Sequence, residues 1–539
     1  MEQYHVMQKT FRRNQTILLA IILIVLVSLN IYSYIINEKF NTYKGTLDNG
    51  RIHYKVYVPK NVEEAPLAVL LHGFGGSSEM MNMIASALAE NGVMAIAYDI
   101  PGHGKSLGSL YKNVSNAQKD FLLVVEKAKE FGANTDSIAI IGHSMGAGYA
   151  QSIAKNDTRI KCLILLGSSP NPQTLNKNIK VNLLVLNGEN DEIVDIKRCL
   201  KAFENVTGLR NITVGKIYGS FKENNAKEFY LSKLNDHLTI LYAEESVNKI
   251  VSWVTEFYNL KDIRLSTVQR LIMYISTSIL TFSSLILAIK LIPSKFSEDG
   301  NLFRSLSRKP VIAYLILTFL VAPIALLLQT PLAIILPLFI SDFIIAFFYT
   351  QIIAISFALF LYKKISKISI GENIKKYFKT DNLIKRCIIS LSVFAVTYLT
   401  YIIMFRNFLN IQLPFYRYPY FILSIFIILP YTLFNELFFR VLVSGLMSKN
   451  LFNILIPIIL RITGLLTFYS SIMLVATSLG YSGGMIGYLL IVVYMFAILQ
   501  IGLDIISSTI FTKTGSITEQ VLSTAIMYSA ILTSITPMM

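Results

Sequence analysis

Histidine, cysteine and acidic residues are all scarce in this chain, and each shortage excludes something. The three cysteines (Cys162, Cys199 and Cys387) make no disulfide framework and stand at no metal-ligand spacing, so a stapled fold and a cysteine-bound metal are not expected. Of the six histidines the last is His237, so any chemistry needing an imidazole is confined to the first part of the chain. Acidic residues number 33 against 49 lysines and arginines, a net charge of +16. That excess does not point to nucleic acid. Much of it lies in short loops between apolar runs, notably "YKKISKISIGENIKKYFKTDNLIKR" (Tyr362 to Arg386), and no RNA-binding motif or recognition-helix pattern accompanies it. Basic residues in short loops beside apolar runs are the positive-inside signature of membrane proteins.

Apolar residues make up 53% of the 539, unevenly distributed. "TILLAIILIVLVSLNIYSYI" (Thr16 to Ile35) is an uncharged run long enough to cross a bilayer, and Lys9, Arg12 and Arg13 precede it. It is longer than the apolar region of a signal peptide and lacks a small-x-small cleavage site, so it reads as a retained anchor. Residues 1–15 are then a cytoplasmic N-terminus, 16–36 a transmembrane anchor, 37–260 a water-soluble domain and 271–539 a multi-pass membrane domain of about eight helices. The candidate spans are about 271–292, 311–329, 334–361, 387–405, 418–434, 451–477, 485–511 and 517–536, with Pro323, Pro337, Pro430 and Pro457 expected to kink or break helices. With the N-terminus inside, the basic loops at 293–310 and 363–386 also fall inside. The soluble domain falls outside the cell membrane, close to its surface.

The soluble block alternates strands and helices. "PLAVLLHG", "VMAIAYDI", "SIAIIGHS", "IKCLILLG" and "VNLLVLNG" are short apolar runs ending in turn residues, with helical segments such as "AQKDFLLVVEKAKEF" between them. Such runs imply a mostly parallel sheet buried on both faces, an α/β fold. In "SIAIIGHSMGAGYAQSIA" a strand meets a helix at Gly142-His143-Ser144-Met145-Gly146, the pattern of a nucleophile elbow. A hydroxyl is a weak nucleophile, so a base and an orienting acid must follow later in the chain, acid first. "LLVLNGENDEIVD" supplies Asp191 just after a buried strand, with Glu189, Glu192 and Asp195 as competitors. Only His237 lies downstream to act as base. The developing oxyanion needs backbone donors, and the Met145 N–H and the Phe74 N–H of "LLHGFGGSS" can supply them. No Gly-Lys-Ser/Thr directly continues that loop, so it is not a phosphate-binding loop. Neither metal nor cofactor is expected.

Together "LHGFGGSS", "AYDIPGHGKSLG", "GHSMGAG", "NGEND" and "NDH" resemble the α/β-hydrolase superfamily over about residues 45–258, in the branch of monoacylglycerol-lipase-like and serine-aminopeptidase-like enzymes. The resemblance implies Ser144, Asp191 and His237 as nucleophile, acid and base, with Phe74 and Met145 as oxyanion donors. Only the dozen or so residues of "SSPNPQTLNKNIK" stand where that family often inserts a lid, so the site is expected to be open or covered by the membrane domain.

In the second half, "YTLFNELFFRVLVSG" places Glu436 and Arg440 four apart on one helical face, and it resembles the Glu-Glu-x-x-x-Arg motif of the CAAX-protease and bacteriocin-processing membrane family. Asn435 stands where the first glutamate belongs, and Thr524 and Tyr528 where a histidine and an asparagine belong. A water-activating protease cannot work without those groups. The expectation is therefore a membrane-anchored serine hydrolase acting on acyl esters of lipids or envelope components. An extracytoplasmic peptidase is the near alternative, and a transporter or sensor with a ligand-binding hydrolase fold the distant one.

Overall fold

The computed structural model describes the chain apart from residues 1, 37–38, 112–113, 176–178, 261–265, 292–308, 339–340, 367–377, 379–381, 440–451, 481–483 and 539. Its first folded unit is an eight-stranded sheet. The strands are β1 (Phe40–Leu47), β2 (Ile52–Pro59), β3 (Ala65–Leu71), β4 (Met94–Tyr98), β5 (Ala133–His143), β6 (Ile160–Leu166), β7 (Asn182–Gly188) and β8 (Lys227–Ser232). Their order across the sheet is β1-β2-β4-β3-β5-β6-β7-β8. The β1–β2 and β2–β4 pairs are antiparallel and every pair from β4 to β8 is parallel.

Period-two alternation divides the central strands between two cores. Ala68, Leu70, Ala139, Ile141, Ile164, Leu166, Leu184 and Leu186 point to one face, where helices α2 (Asn82–Glu90) and, later in the chain, α6 (Glu244–Phe257) pack. Leu67, Val69, Leu71, Ile138, Ile140, Leu163, Leu165, Leu183 and Val185 point to the other, under α3 (Val114–Glu130), α4 (Met145–Asn156) and α5 (Ile196–Thr207). With both faces covered, each strand must be apolar throughout, which is why these runs do not alternate with polar residues. The parallel crossovers bring the carboxyl ends of β3, β5, β6 and β7 to one edge, where the loops that follow them meet.

The first core does not stop at α2 and α6. It continues without interruption into the helical half through Met273, Tyr274, Tyr401, Leu409 and Ile411. The helices there are α7 (Thr267–Leu291), α8 (Lys309–Val321), α9 (Ile324–Ile335), α10 (Ser341–Ser366), α11 (Leu383–Phe405), α12 (Tyr418–Glu436), α13 (Phe452–Ser478), α14 (Gly484–Thr514) and α15 (Thr518–Ile535). The chain opens on a further helix, Glu2–Ile36, whose Ile17, Ile21, Ile24 and Val27 are exposed.

Among the described residues seven helices are long and apolar enough to cross a membrane, or eight if α8 and α9, bent by 59°, are taken as one. The closing helix, expected as a span, is not among them. Its Glu519, Gln520, Ser523, Ser529 and Thr533 are buried inside the bundle, so protein rather than lipid surrounds them. The prolines divide. Pro323 sits at the α8/α9 bend and Pro337 follows the end of α9, whereas Pro430 and Pro457 lie inside continuous helices. Neighbouring helices and side chains can satisfy the carbonyls that an internal proline frees in a bundle of this kind.

Candidate active site

The turn between β5 and α4 holds Ser144 at φ 52°, ψ −116°, in a region that non-glycine residues rarely enter. The neighbours on either side make that turn possible. A Cβ on Gly142 would lie 2.5 Å from the Ala147 nitrogen and the Gly146 carbonyl, and one on Gly146 would lie 2.5 Å from the carbonyls of Leu71 and His72. The serine amide donates to Leu166 O at 2.8 Å, which pins the turn to the end of β6. Strain stored at one residue and held by packing on all sides is the mark of a positioned functional group. Ser144 is half-buried, and Met145 opens α4, so its amide belongs to the first turn, which has no acceptor within the helix.

The loops that carry Asp191 and His237 are laced together before their side chains meet. Glu189 N donates to Ser232 O at 2.9 Å and Asn190 N to Asn235 O at 2.9 Å. Asp236 then accepts from the amides of Leu238 (2.9 Å) and Thr239 (2.7 Å), fixing the turn that carries His237. His237 Nδ1 lies 2.9 Å from Asp191 Oδ2 and 3.0 Å from Oδ1. Asp191 Oδ1 also accepts from the amides of Ile193 (2.9 Å) and Val194 (2.8 Å). A carboxylate held by two loop amides presents a fixed face to the imidazole, so Nδ1–H is the donor and Nε2 is left to accept.

The three competing acids have other work. Glu189 Oε2 accepts from Leu234 N at 3.3 Å, Glu192 Oε2 from His237 N at 3.3 Å, and Asp195 caps α5 through Arg198 N at 3.1 Å. Gly167, at the end of β6 and with φ +54°, clears the space for the ring: a Cβ there would lie 3.0 Å from His237 Cε1.

Three further histidines, His72, His103 and His143, are buried at this end of the sheet. His72 Nδ1 lies 2.7 Å from Gly73 O while its Nε2 accepts from Ile100 N at 2.9 Å, a pattern only the neutral ring can make. Its pKa is lowered, chiefly by burial. His143 Nε2 lies 2.9 Å from His237 O, and burial pushes its pKa down to about 3. The pKa of His103 is also lowered well below the ordinary range, again chiefly by burial, and its ring packs 5.6 Å from that of Phe74. Nearby, Asp99 shapes the "YDIPGHGKS" loop by accepting from Ser78 N (2.6 Å) and Lys105 N (2.8 Å). Its pKa is lowered: burial opposes the charge, but the hydrogen bond and charge of His53 outweigh it. Among the described residues no group of three His, Cys, Asp or Glu side chains comes together to hold a metal.

The helical half reaches this edge of the sheet, a contribution that no local sequence pattern reveals. Arg417, fully buried, donates through Nη1 to the carbonyls of Thr533 (2.7 Å) and Thr536 (2.8 Å) and through Nη2 to Gly102 O at 2.7 Å. Tyr416 OH donates to Ser106 O at 2.8 Å, and Met538 N to Gly102 O at 3.0 Å. Deeper in the bundle, Glu436 pairs with Arg461 of α13 at 3.1 Å, and Asp504 of α14 pairs with the same guanidinium. The sequence had suggested Arg440, which lies outside the described residues. Asn435 accepts from Arg461 Nε at 3.1 Å, and the Tyr528 hydroxyl donates to Gln500. Glutamate, aspartate and asparagine thus converge on one arginine, which satisfies charges too costly to leave alone at that depth.

The parallel sheet and its strand-to-helix elbow define an α/β hydrolase, here joined to a bundle of apolar helices. Residues 63–177 match the family described as "Serine aminopeptidase, S33". An uncharacterised 31.7 kDa protein of Escherichia coli is 33% identical over 110 residues, 20% of this chain and 38% of that protein. A protein of Haemophilus influenzae described as a putative esterase/lipase is 26% identical over 133 residues, 24% of this chain and 44% of the relative. The chain thus spans less than half the length of either relative. A structure from Thermoplasma acidophilum described as a predicted CIB-like hydrolase aligns with 40% of this chain and 98% of its own, at 18% identity and a TM-score of 0.32.

Proposed function

We propose that the protein is a membrane-held serine hydrolase that cleaves acyl esters through Ser144, His237 and Asp191. The observation that carries the reading is the coincidence of two costly arrangements at one sheet edge. One is a serine at φ 52°; the other is a buried carboxylate aligned on the single downstream histidine. In the reaction, Ser144 Oγ adds to the ester carbonyl as its proton passes to His237 Nε2. The C–O bond to the alcohol then breaks, and the alcohol leaves with that proton. Water adds to the acyl-serine with the same histidine as base, releasing the acid and restoring the hydroxyl. The amides of Phe74 and Met145 stabilise the oxyanion in both steps, and Asp191 stabilises the imidazolium.

The seven apolar helices support placement in a membrane, and the basic loops between them support a hydrolase domain on the extracytoplasmic side. The helical half resembles the CAAX-protease family only as a scaffold, because Glu436 pairs with Arg461 and no histidine follows His237 in the sequence. Peptide cleavage is the second reading, favoured by the description of the family matched at residues 63–177. Turnover of a panel of p-nitrophenyl acyl esters and aminoacyl p-nitroanilides by the purified full chain separates the two. Ester turnover abolished by Ser144→Ala supports the first reading. Anilide turnover with no ester turnover supports the second.

A further inference from the structure

A cavity of about 320 Å³ lies where the hydrolase domain meets the helices. Phe74 and Gly75, from the loop after β3, form part of its wall, together with Leu238 and Tyr242 just beyond His237. Phe405 of α11, Val492, Met495 and Leu499 of α14 and Leu532 of α15 form much of the rest. The hydroxyls on the lining are already committed within the protein: Tyr528 to Gln500, Tyr242 to Phe408 O at 3.4 Å, and Thr536 to Leu532 O at 2.5 Å. A ligand here finds apolar carbon and no spare hydroxyl, so what fits is hydrocarbon. The volume is about twice the roughly 150 Å³ of an apolar cavity that accepts benzene, so it has room for a chain on the order of a dozen carbons.

We propose that this cavity holds the acyl chain of the substrate, so that the membrane helices set which acyl length the serine cleaves. The proposal rests on Ser144 being the nucleophile, as argued above. Two placements favour the acyl chain over the alcohol. Phe74 supplies both an oxyanion amide and a wall of the cavity, and Leu238 adjoins the base, so the cavity begins beside the site of the carbonyl. The acyl part also stays bonded to Ser144 through both steps and benefits from fixed walls, whereas the alcohol must depart after the first. The walls contributed by Leu383–Phe405 and Leu490–Phe511 are segments apolar enough to lie in a bilayer.

The test uses the full chain in detergent or nanodiscs, with p-nitrophenyl acetate, laurate and palmitate, which share one leaving group. Val492→Trp should lower the laurate-to-acetate ratio of kcat/KM by at least about tenfold, the loss expected when two or so methylenes are displaced from apolar surroundings. Leu532→Ala, which widens the cavity, should raise the palmitate-to-laurate ratio. This second arm remains decisive should the tryptophan variant fail to fold. Ratios unchanged within about twofold in the variants that fold, with Ser144-dependent turnover intact, overturn the acyl-chain assignment while leaving the hydrolase reading standing. If no ester is turned over in a Ser144-dependent way, the acyl-chain assignment and the esterase reading fall together.

Discussion

Replacing Asp191 by asparagine separates the catalytic role of this side chain from its structural one. The carboxylate does two jobs: Oδ1 accepts from Ile193 N and Val194 N at 2.9 and 2.8 Å, and Oδ2 lies 2.9 Å from His237 Nδ1. An asparagine can keep the first job by turning its carbonyl toward the two amides. Its NH₂ then faces Nδ1, which must become an acceptor, so the ring proton moves to Nε2. A ring protonated at Nε2 cannot take the serine proton. The same exchange in a Ser-His-Asp protease lowers turnover by about 10⁴-fold, equivalent to roughly 5 kcal/mol of transition-state stabilisation. Because the loop amides remain satisfied, the thermal midpoint should move little. Ester turnover and the rate of fluorophosphonate labelling should fall together by three to four orders of magnitude, on the scale of that exchange. A variant retaining activity within about tenfold of the parent would refute the assignment. Suspicion would then move to Glu192, whose carboxylate already touches the His237 backbone.

Two further outcomes follow from buried groups. Arg417→Met removes the guanidinium donor from the carbonyls of Thr533, Thr536 and Gly102, of which Gly102 keeps the Met538 amide, and each buried acceptor left unsatisfied costs about 1–3 kcal/mol. The thermal midpoint of the full chain should drop on the order of 10 °C, and an unchanged midpoint would show that the hydrolase domain is not held by this staple. His72, His103 and His143 all have folded pKa values lowered by burial from the ordinary 6.5. In acid the unfolded chain therefore binds protons that the folded chain refuses. Stability should fall as pH drops below about 6.5, with His143 contributing on the order of 1 kcal/mol per pH unit down to about 3 and His72 and His103 adding in the same direction. Denaturant midpoints at neutral pH and at mildly acid pH read this directly, and equal or greater stability in acid contradicts it.

Local pattern carried the sheet. Each central strand is a short apolar run ended by glycine or a turn residue, and a parallel sheet covered on both faces leaves no other way to write it. The elbow was legible for a similar reason, because Gly142 and Gly146 are dictated by 2.5 Å approaches to the neighbouring backbone. Choosing among Glu189, Asp191, Glu192 and Asp195 needed three dimensions. All four sit on one loop, and what distinguishes them is which partner each reaches. Contacts between the halves were invisible for the same reason: Arg417 meets Gly102 across more than three hundred residues of chain. The burial of Glu519 and Gln520 in the closing helix depends on neighbouring helices that its own sequence does not name. Arg461, on another helix, is a partner of Glu436 that local spacing could not reveal.

The central claim is that Ser144 is a nucleophile activated by the groups around it. Labelling of membranes containing the full chain with a fluorophosphonate probe, in the parent and in Ser144→Ala, tests it most directly. The account predicts a single labelled band at 60.7 kDa that disappears in the variant. Labelling that persists in Ser144→Ala, or that never appears in the parent, would contradict it.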